Sequence, residues 1–128
     1  MDRQLVSSDS PWEEPVGFSR AVRAGDFVFV SGTVGADGTG RAVGPGAYEQ
    51  AVKALQRIEA ALSEAGAALS DVVRTRIYVT DISHWQEVGR AHGEFFGTIR
   101  PATSMVEVSR LIAPDLVVEI EAIAVVGR

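Results

Sequence analysis

Val72-Val73-Arg74-Thr75-Arg76-Ile77-Tyr78-Val79-Thr80, running through Asp81 and Ser83 into Trp85-Gln86-Glu87-Val88 and on to Phe96-Gly97, decides the fold class. Its first half alternates Val73, Thr75, Ile77 and Val79 against Arg74, Arg76 and Tyr78, the two-residue period of a half-buried strand. From Ser83 the period lengthens. Trp85, Val88, His92, Phe95 and Phe96 fall on one helical stripe, Gln86 follows Ser83 in capping-box spacing, and Gly97 ends the run. A strand feeding an amphipathic helix predicts mixed α and β structure.

Working outward, Ala47 to Ala65 is the clearest helix: Ala51, Val52, Leu55, Ile58, Leu62 and Ala65 share a face, and Gly66 supplies the C-terminal cap. Phe18, Arg20 and Val22 alternate with Ser19, Ala21 and Arg23, Ala24-Gly25-Asp26 is a turn, and Phe27–Ser31 is rich in aromatic and β-branched residues; together they predict a hairpin. Gly32 to Gly46 is a turn-rich connection with one short strand near Arg41-Ala42-Val43. Thr103–Leu111 and Val117–Val126 read as two further strands, joined by Ile112-Ala113-Pro114-Asp115-Leu116. Residues 1–17, polar and carrying Pro11 and Pro15, read as a loop or arm ahead of a single domain over 18–128. The predicted order, β-β-(β)-α-β-α-β-β, is an α+β fold whose two helices cover one face of a mixed sheet. The other face mixes Val and Ile with Arg and Glu, which predicts an oligomer.

Composition narrows the chemistry. The chain has 128 residues, no Cys, and a formal net charge of −5 from 12 Lys+Arg and 17 Asp+Glu. One domain of this length builds its own core without disulfide or metal. Lacking Cys, it has no thiolate nucleophile, zinc–thiolate site or iron–sulfur cluster. Lys53 is the sole Lys, so Schiff-base chemistry would need it or the α-amino group. The acidic balance argues against nucleic acid as a partner. No apolar run reaches the ~20 residues of a membrane helix and no signal-peptide pattern opens the chain, so the expected compartment is the cytoplasm.

Ser31-Gly32-Thr33-Val34-Gly35-Ala36-Asp37-Gly38 superficially resembles a phosphate loop, but it lacks the Lys and the strand–loop–helix context. It reads as turn chemistry, with the strand end near Ser31 offering backbone N–H groups to an anion. His92 lies on the apolar stripe and reads as packed and hydrogen-bonded; His84 reads as solvated, and the two form no metal pair. Glu119 and Glu121 share one face of the last strand, as Arg74 and Arg76 share one face of theirs. Spacing favours cross-strand ion pairs; the alternative is a carboxylate that activates water beside a substrate-holding Arg.

The runs Val72–Asp81, Phe95-Phe96, Arg100-Pro101-Ala102-Thr103-Ser104-Met105-Val106-Glu107-Val108 and Val118-Glu119-Ile120-Glu121-Ala122 resemble the RidA (YjgF) family. So do Val28-Phe29-Val30-Ser31-Gly32 and Gln50-Ala51-Val52-Lys53-Ala54-Leu55. The resemblance covers nearly everything from Phe18 onward. It implies a chorismate-mutase-like homotrimer with ligand clefts between subunits, and hydrolysis of enamine/imine metabolites without metal or cofactor. Carried over residue by residue, it assigns Glu119 as the catalytic acidic residue, with Phe18, Ser31, Gly32, Thr103 and Met105 in the substrate-binding cleft.

The departures matter as much. Thr103 stands where the family's P-A-R-S motif has its substrate-holding Arg, Met105 replaces a Cys, Phe18 lacks a phenolic hydroxyl and Gly89 matches an Asn. A Thr hydroxyl cannot make the bidentate, charge-assisted contact worth about 1.5–3 kcal/mol per bond, which argues against 2-iminoacid deaminase activity. Arg74, Arg76 and Arg100 are the candidates for replacing that charge. The leading expectation is a small-molecule hydrolase or binder acting in an intersubunit cleft. The alternatives are a non-catalytic ligand-sensing or protein-interaction trimer, and the endoribonuclease or translation-inhibitor role described for some family members.

Overall fold

The computed structural model describes residues 2–127; Met1 and Arg128, which fall within the expected arm and domain, lie outside the described residues. Six strands form one sheet: β1 (Arg3–Val6), β2 (Ala21–Ala24), β3 (Phe27–Val34), β4 (Val72–Val79), β5 (Ala102–Glu107) and β6 (Val118–Val125). Their spatial order is β1-β2-β3-β6-β4-β5, with β4–β5 parallel and every other pairing antiparallel. The parallel pair needs a crossover, and the helix predicted after Thr80 provides it.

A single-turn helix α1 (Glu13–Val16) precedes the sheet's main hairpin, and α2 (Ala47–Glu64) and α3 (Trp85–Phe96) lie on one face. Leu55, Ile58 and Leu62 of α2 and Val88 and Phe96 of α3 are fully buried against Val28, Ile77, Val79, Val118 and Ile120. Burying side chains of this size contributes about 1.5–3 kcal/mol each. A smaller cluster of Val34, Ala36 and Leu116 with Trp12 and Leu111 fixes the N-terminal segment to the ends of β3 and β6.

Two close approaches hold α2 in place. A Cβ on Gly35 would sit 2.2 Å from the Gln50 carbonyl oxygen, so only glycine lets the end of β3 meet the helix backbone. Gln50, completely buried, donates to the Gly44 and Asp115 carbonyls at 2.8 and 2.9 Å and accepts from Val117 N–H at 2.9 Å. It thereby ties two loops to one helical turn.

The structure corrects several expectations. The N-terminal arm contains β1 and α1: Arg3–Val6 pairs with Ala24–Ala21, and Val6 is buried in the core. Four residues with one buried side chain carry too short an alternation to read. Val73 is exposed because a register shift between Val72 and Arg74 turns it out, leaving Val72, Thr75, Ile77 and Val79 facing the core. The capping box expected at Ser83 does not form. Instead the Asp81 carboxylate accepts from Ser83 N–H at 3.0 Å, a 3₁₀ turn spans Ile82–His84, and α3 begins at Trp85, which is 55 % exposed. Only an Ala36–Ala42 bridge represents the strand near Arg41–Val43, and β5 stops at Glu107, short of Leu111.

Candidate functional site

Period-two alternation along β6 places Val118, Ile120, Ala122 and Ala124 in the core and Glu119 and Glu121 on the face the helices leave uncovered. Opposite them β3 carries an irregularity between Val30 and Thr33, which puts Ser31 and Gly32 where the ladder is broken. The Glu119 carboxyl occupies the space a Gly32 side chain would take: a Cβ there would lie 2.4 Å from Glu119 Oε2. The Ser31 hydroxyl donates to the Ser19 carbonyl at 2.7 Å and the Ser31 N–H donates to the Arg20 carbonyl at 2.9 Å. The backbone donor expected for an anion at this strand end is therefore already engaged.

Around these residues opens a cleft of about 370 Å³, within the range of small-molecule sites. Of the candidate residues Phe18, Ser31, Gly32 and Glu119 line it, together with Trp12, Val16, Ile112 and two arginines the sequence did not single out, Arg20 and Arg57. Burial raises the Glu119 carboxyl above the ordinary carboxylate range, Glu121 adds to the effect, and Arg20 opposes it. A carboxyl held this way can carry a proton toward a ligand or take one from water.

Arg20 is almost wholly enclosed. Its Nη1 donates to the Gly32 carbonyl at 3.0 Å and to Thr33 Oγ1 at 3.1 Å, its guanidinium sits 5.3 Å from the centre of the Phe18 ring, and Nε lies 3.8 Å from Glu13 Oε2. Arg57 Nη1 reaches from α2 to the Val34 carbonyl at 2.8 Å. Burial, with desolvation foremost, lowers both guanidinium pKa values. In sequence Arg20 shares a side of the hairpin with Phe18 and Val22, and Arg57 lies in the Ala47–Ala65 helix outside its apolar stripe. No local pattern betrays that the segment carrying Glu13 folds back over them.

Thr103 and Met105 are elsewhere in the chain. Register with Thr75 and Ile77 puts both on the helix-bearing face at the far edge of the sheet, where Met105 packs against the core. Thr103 Oγ1 donates to the Pro101 carbonyl at 3.2 Å and lies 2.7 Å from Thr75 Oγ1, which lies 2.9 Å from His92 Nε2. The two hydroxyls thus link the His92 ring to the start of β5. His92 is thus packed and hydrogen-bonded, its ring centre 4.7 Å from that of Phe96 and tilted by 40°, and burial lowers its pKa. His84 is half exposed, 3.9 Å from Asp81.

Of the arginines considered as substitutes, Arg76 pairs across the sheet with Glu121 at 3.8 Å and Arg74 donates to Ser104 at 2.9 Å. Arg100 is exposed and holds the left-handed backbone (φ 58°) before Pro101. None of the three lines the cleft. Gly89, on α3, is likewise remote from it. Among the described residues no group of three or more His, Asp or Glu is placed to hold a metal ion, and no helix is long and apolar enough to cross a membrane.

The chain is similar to known proteins over almost its whole length. The family model described as Endoribonuclease L-PSP matches residues 11–126. A RutC family protein of Pyrococcus abyssi is 40% identical over 113 residues, covering 87% of this chain and 88% of that protein. The RutC family protein UK114 of Drosophila melanogaster is 33% identical over 126 residues, covering 98% and 91%. Among solved structures, a Mycobacterium tuberculosis member of the YjgF/YER057c/UK114 family shares 58% identity at a TM-score of 0.90, covering 98% of this chain and 100% of that one. The YjgF gene product of E. coli shares 29% at 0.84, covering 97% and 99%. With the sheet order, the two helices on one face and these matches in agreement, the chain belongs to the RidA/YjgF (endoribonuclease L-PSP) family.

Proposed function

We propose that this protein is a small-molecule hydrolase that acts on imine- or enamine-type metabolites, or a close chemical relative of them, in the cleft containing Glu119. The observation that carries the reading is the Glu119 carboxyl itself, seated in the space left by Gly32, facing an apolar cleft, with its pKa raised by burial. Such a group protonates an imine nitrogen or directs a water at the adjacent carbon without metal or cofactor. Thr103 in place of the family Arg argues that the preferred substrate is not a free 2-imino acid held at that position. Thr103 and Met105 line a ligand cleft only if a neighbouring copy brings its β5 edge to the Glu119 side, as in the homotrimer the family resemblance implies.

The test is keto-acid or ammonia release when the purified protein is added to an imine-generating amino-acid oxidase reaction, compared across wild type, Glu119→Gln and Thr103→Arg. Glu119→Gln is expected to lower any acceleration at least 100-fold. Thr103→Arg is expected to raise activity toward 2-imino acids. Acceleration by wild type that Glu119→Gln leaves intact would remove Glu119 from the mechanism; no acceleration by any variant would leave a binding role for the cleft.

A further inference from the structure

Building on the hydrolytic reading above, we infer that Glu121, fixed by Tyr78 and Arg76 on the wall of the cleft, is a positioning residue that makes Glu119 the proton donor.

Both carboxyls line the cleft, and both project from the same face of β6, where two residues span roughly 6.6 Å. Their partners differ. The Tyr78 hydroxyl donates to Glu121 Oε1 at 3.0 Å, and Arg76 Nη1 lies 3.8 Å from the same oxygen. The antiparallel register of β4 and β6 sets Arg76 opposite Glu121 and Tyr78 opposite Glu119. Tyr78 therefore leans diagonally, away from the carboxyl it faces, and bonds the next one instead. The Glu119 carboxyl has no hydrogen-bond donor among the described residues.

This asymmetry divides the two roles. A carboxyl with a hydroxyl and a guanidinium at hand holds a charge more readily than a half-buried neighbour with neither. The charge on Glu121 then disfavours a second one at Glu119, in the same sense as burial. The other charged groups near Glu119 are Arg20, ahead of β2, and Arg57 of α2. Arg20 opposes the effect, but its Nη1 is committed to the Gly32 carbonyl and the Thr33 hydroxyl. Both arginines also have Glu13 as counter-charge, and Arg57 has Asp9 as well. On the β3 side only Val34 stands opposite Glu119.

Carboxyls whose surroundings separate their protonation in this way serve as acid and anion. As the acid, Glu119 gives its proton to the imine nitrogen while water adds to the adjacent carbon. The proton lost by that water returns to Glu119, which passes it to the amino group as the C–N bond breaks. The hydroxyl proton then restores Glu119, leaving a carbonyl compound and ammonia.

The test follows the Glu119 side-chain carboxyl by NMR in protein carrying isotope-labelled glutamate, its signal identified by loss in Glu119→Gln. In wild type it should titrate above the ordinary glutamate value of about 4.3. Glu121→Gln keeps the shape and removes the charge, and should lower the midpoint by at least ~0.5 pH unit, a roughly threefold change in proton affinity. Glu121→Asp should recover most of that difference. Arg76→Gln strips a cation from the cluster and should move the midpoint the other way. In turnover, the alkaline limb of kcat/KM should move down in Glu121→Gln along with the NMR midpoint. A midpoint that Glu121→Gln leaves unmoved or raises would overturn the proposal. If circular dichroism shows that variant unfolded, Arg76→Gln decides, and an unmoved or lowered midpoint overturns it. The expected shifts without Glu119-dependent turnover would sink only the hydrolytic reading. Glu119-dependent turnover with a midpoint indifferent to Glu121 would sink only the acid assignment.

Discussion

At position 32 the absence of a side chain leaves the space that the Glu119 carboxyl occupies. A Cβ there would collide with Glu119 Oε2, Cδ and Cγ at 2.4, 2.8 and 3.3 Å, the outer part of a flexible side chain and not backbone. Gly32→Ala should therefore fold with stability within ~0.5 kcal/mol of wild type, because the carboxyl can swing aside. It should still lose at least tenfold in turnover or ligand affinity, because the swing takes the carboxyl from its seat. Thermal melts beside activity assays check both halves; unchanged activity would mean that the seat is irrelevant. Alternation in its strand showed which face Glu119 takes, and the family resemblance nominated Glu119 and Gly32 as candidates. Arg20 and Arg57 were not legible, because their burial depends on a segment that packs over them from elsewhere in the chain.

Between elements, His92 of α3, Thr75 of β4 and Thr103 of β5 form one hydrogen-bonded line that ends on the Pro101 carbonyl. Desolvation lowers the His92 pKa, so the unfolded chain takes up this proton at a higher pH than the folded one. The stabilising contribution is present above the ordinary imidazole value of about 6.5 and is lost as pH falls through the lowered folded value. Urea midpoints are expected to drop between pH 7.5 and about 5, and His92→Gln should flatten that slope. An equal slope in the variant would place the dependence on other groups. A sequence stripe identified His92 as packed. Its partner could not be read, since Thr75 and Thr103 meet only through the parallel pairing of β4 and β5.

The whole molecule presents a sheet with one face bare. Leu5, Val22, Phe29 and Ile123 are aligned across β1, β2, β3 and β6, and Phe27 stacks beside Phe29 at 6.2 Å between ring centres. Phe27 and Phe29 are 49 % and 47 % exposed in the single chain. A contiguous apolar row of this kind marks an interaction surface, and self-association into a trimer would cover it. Sedimentation velocity should show a trimer for wild type and a smaller species for Phe29→Glu, with loss of any activity that requires Thr103 and Glu119 in one cleft. A monomeric wild type would contradict the assembly.

The sequence by itself determined the main element types and the α+β layer arrangement, because two-residue and 3.6-residue periods state which side of each element is apolar, and its motif runs carried the resemblance to the family. Through that resemblance it also singled out Glu119 and Thr103 as candidates. Tertiary structure alone decided that β1 belongs to the sheet, that Val73 turns outward at a bulge and that Arg20 and Arg57 share a cleft with Glu119. Periodicity describes an element against its own axis, whereas burial of a charge or a break in register depends on what the rest of the chain brings against it.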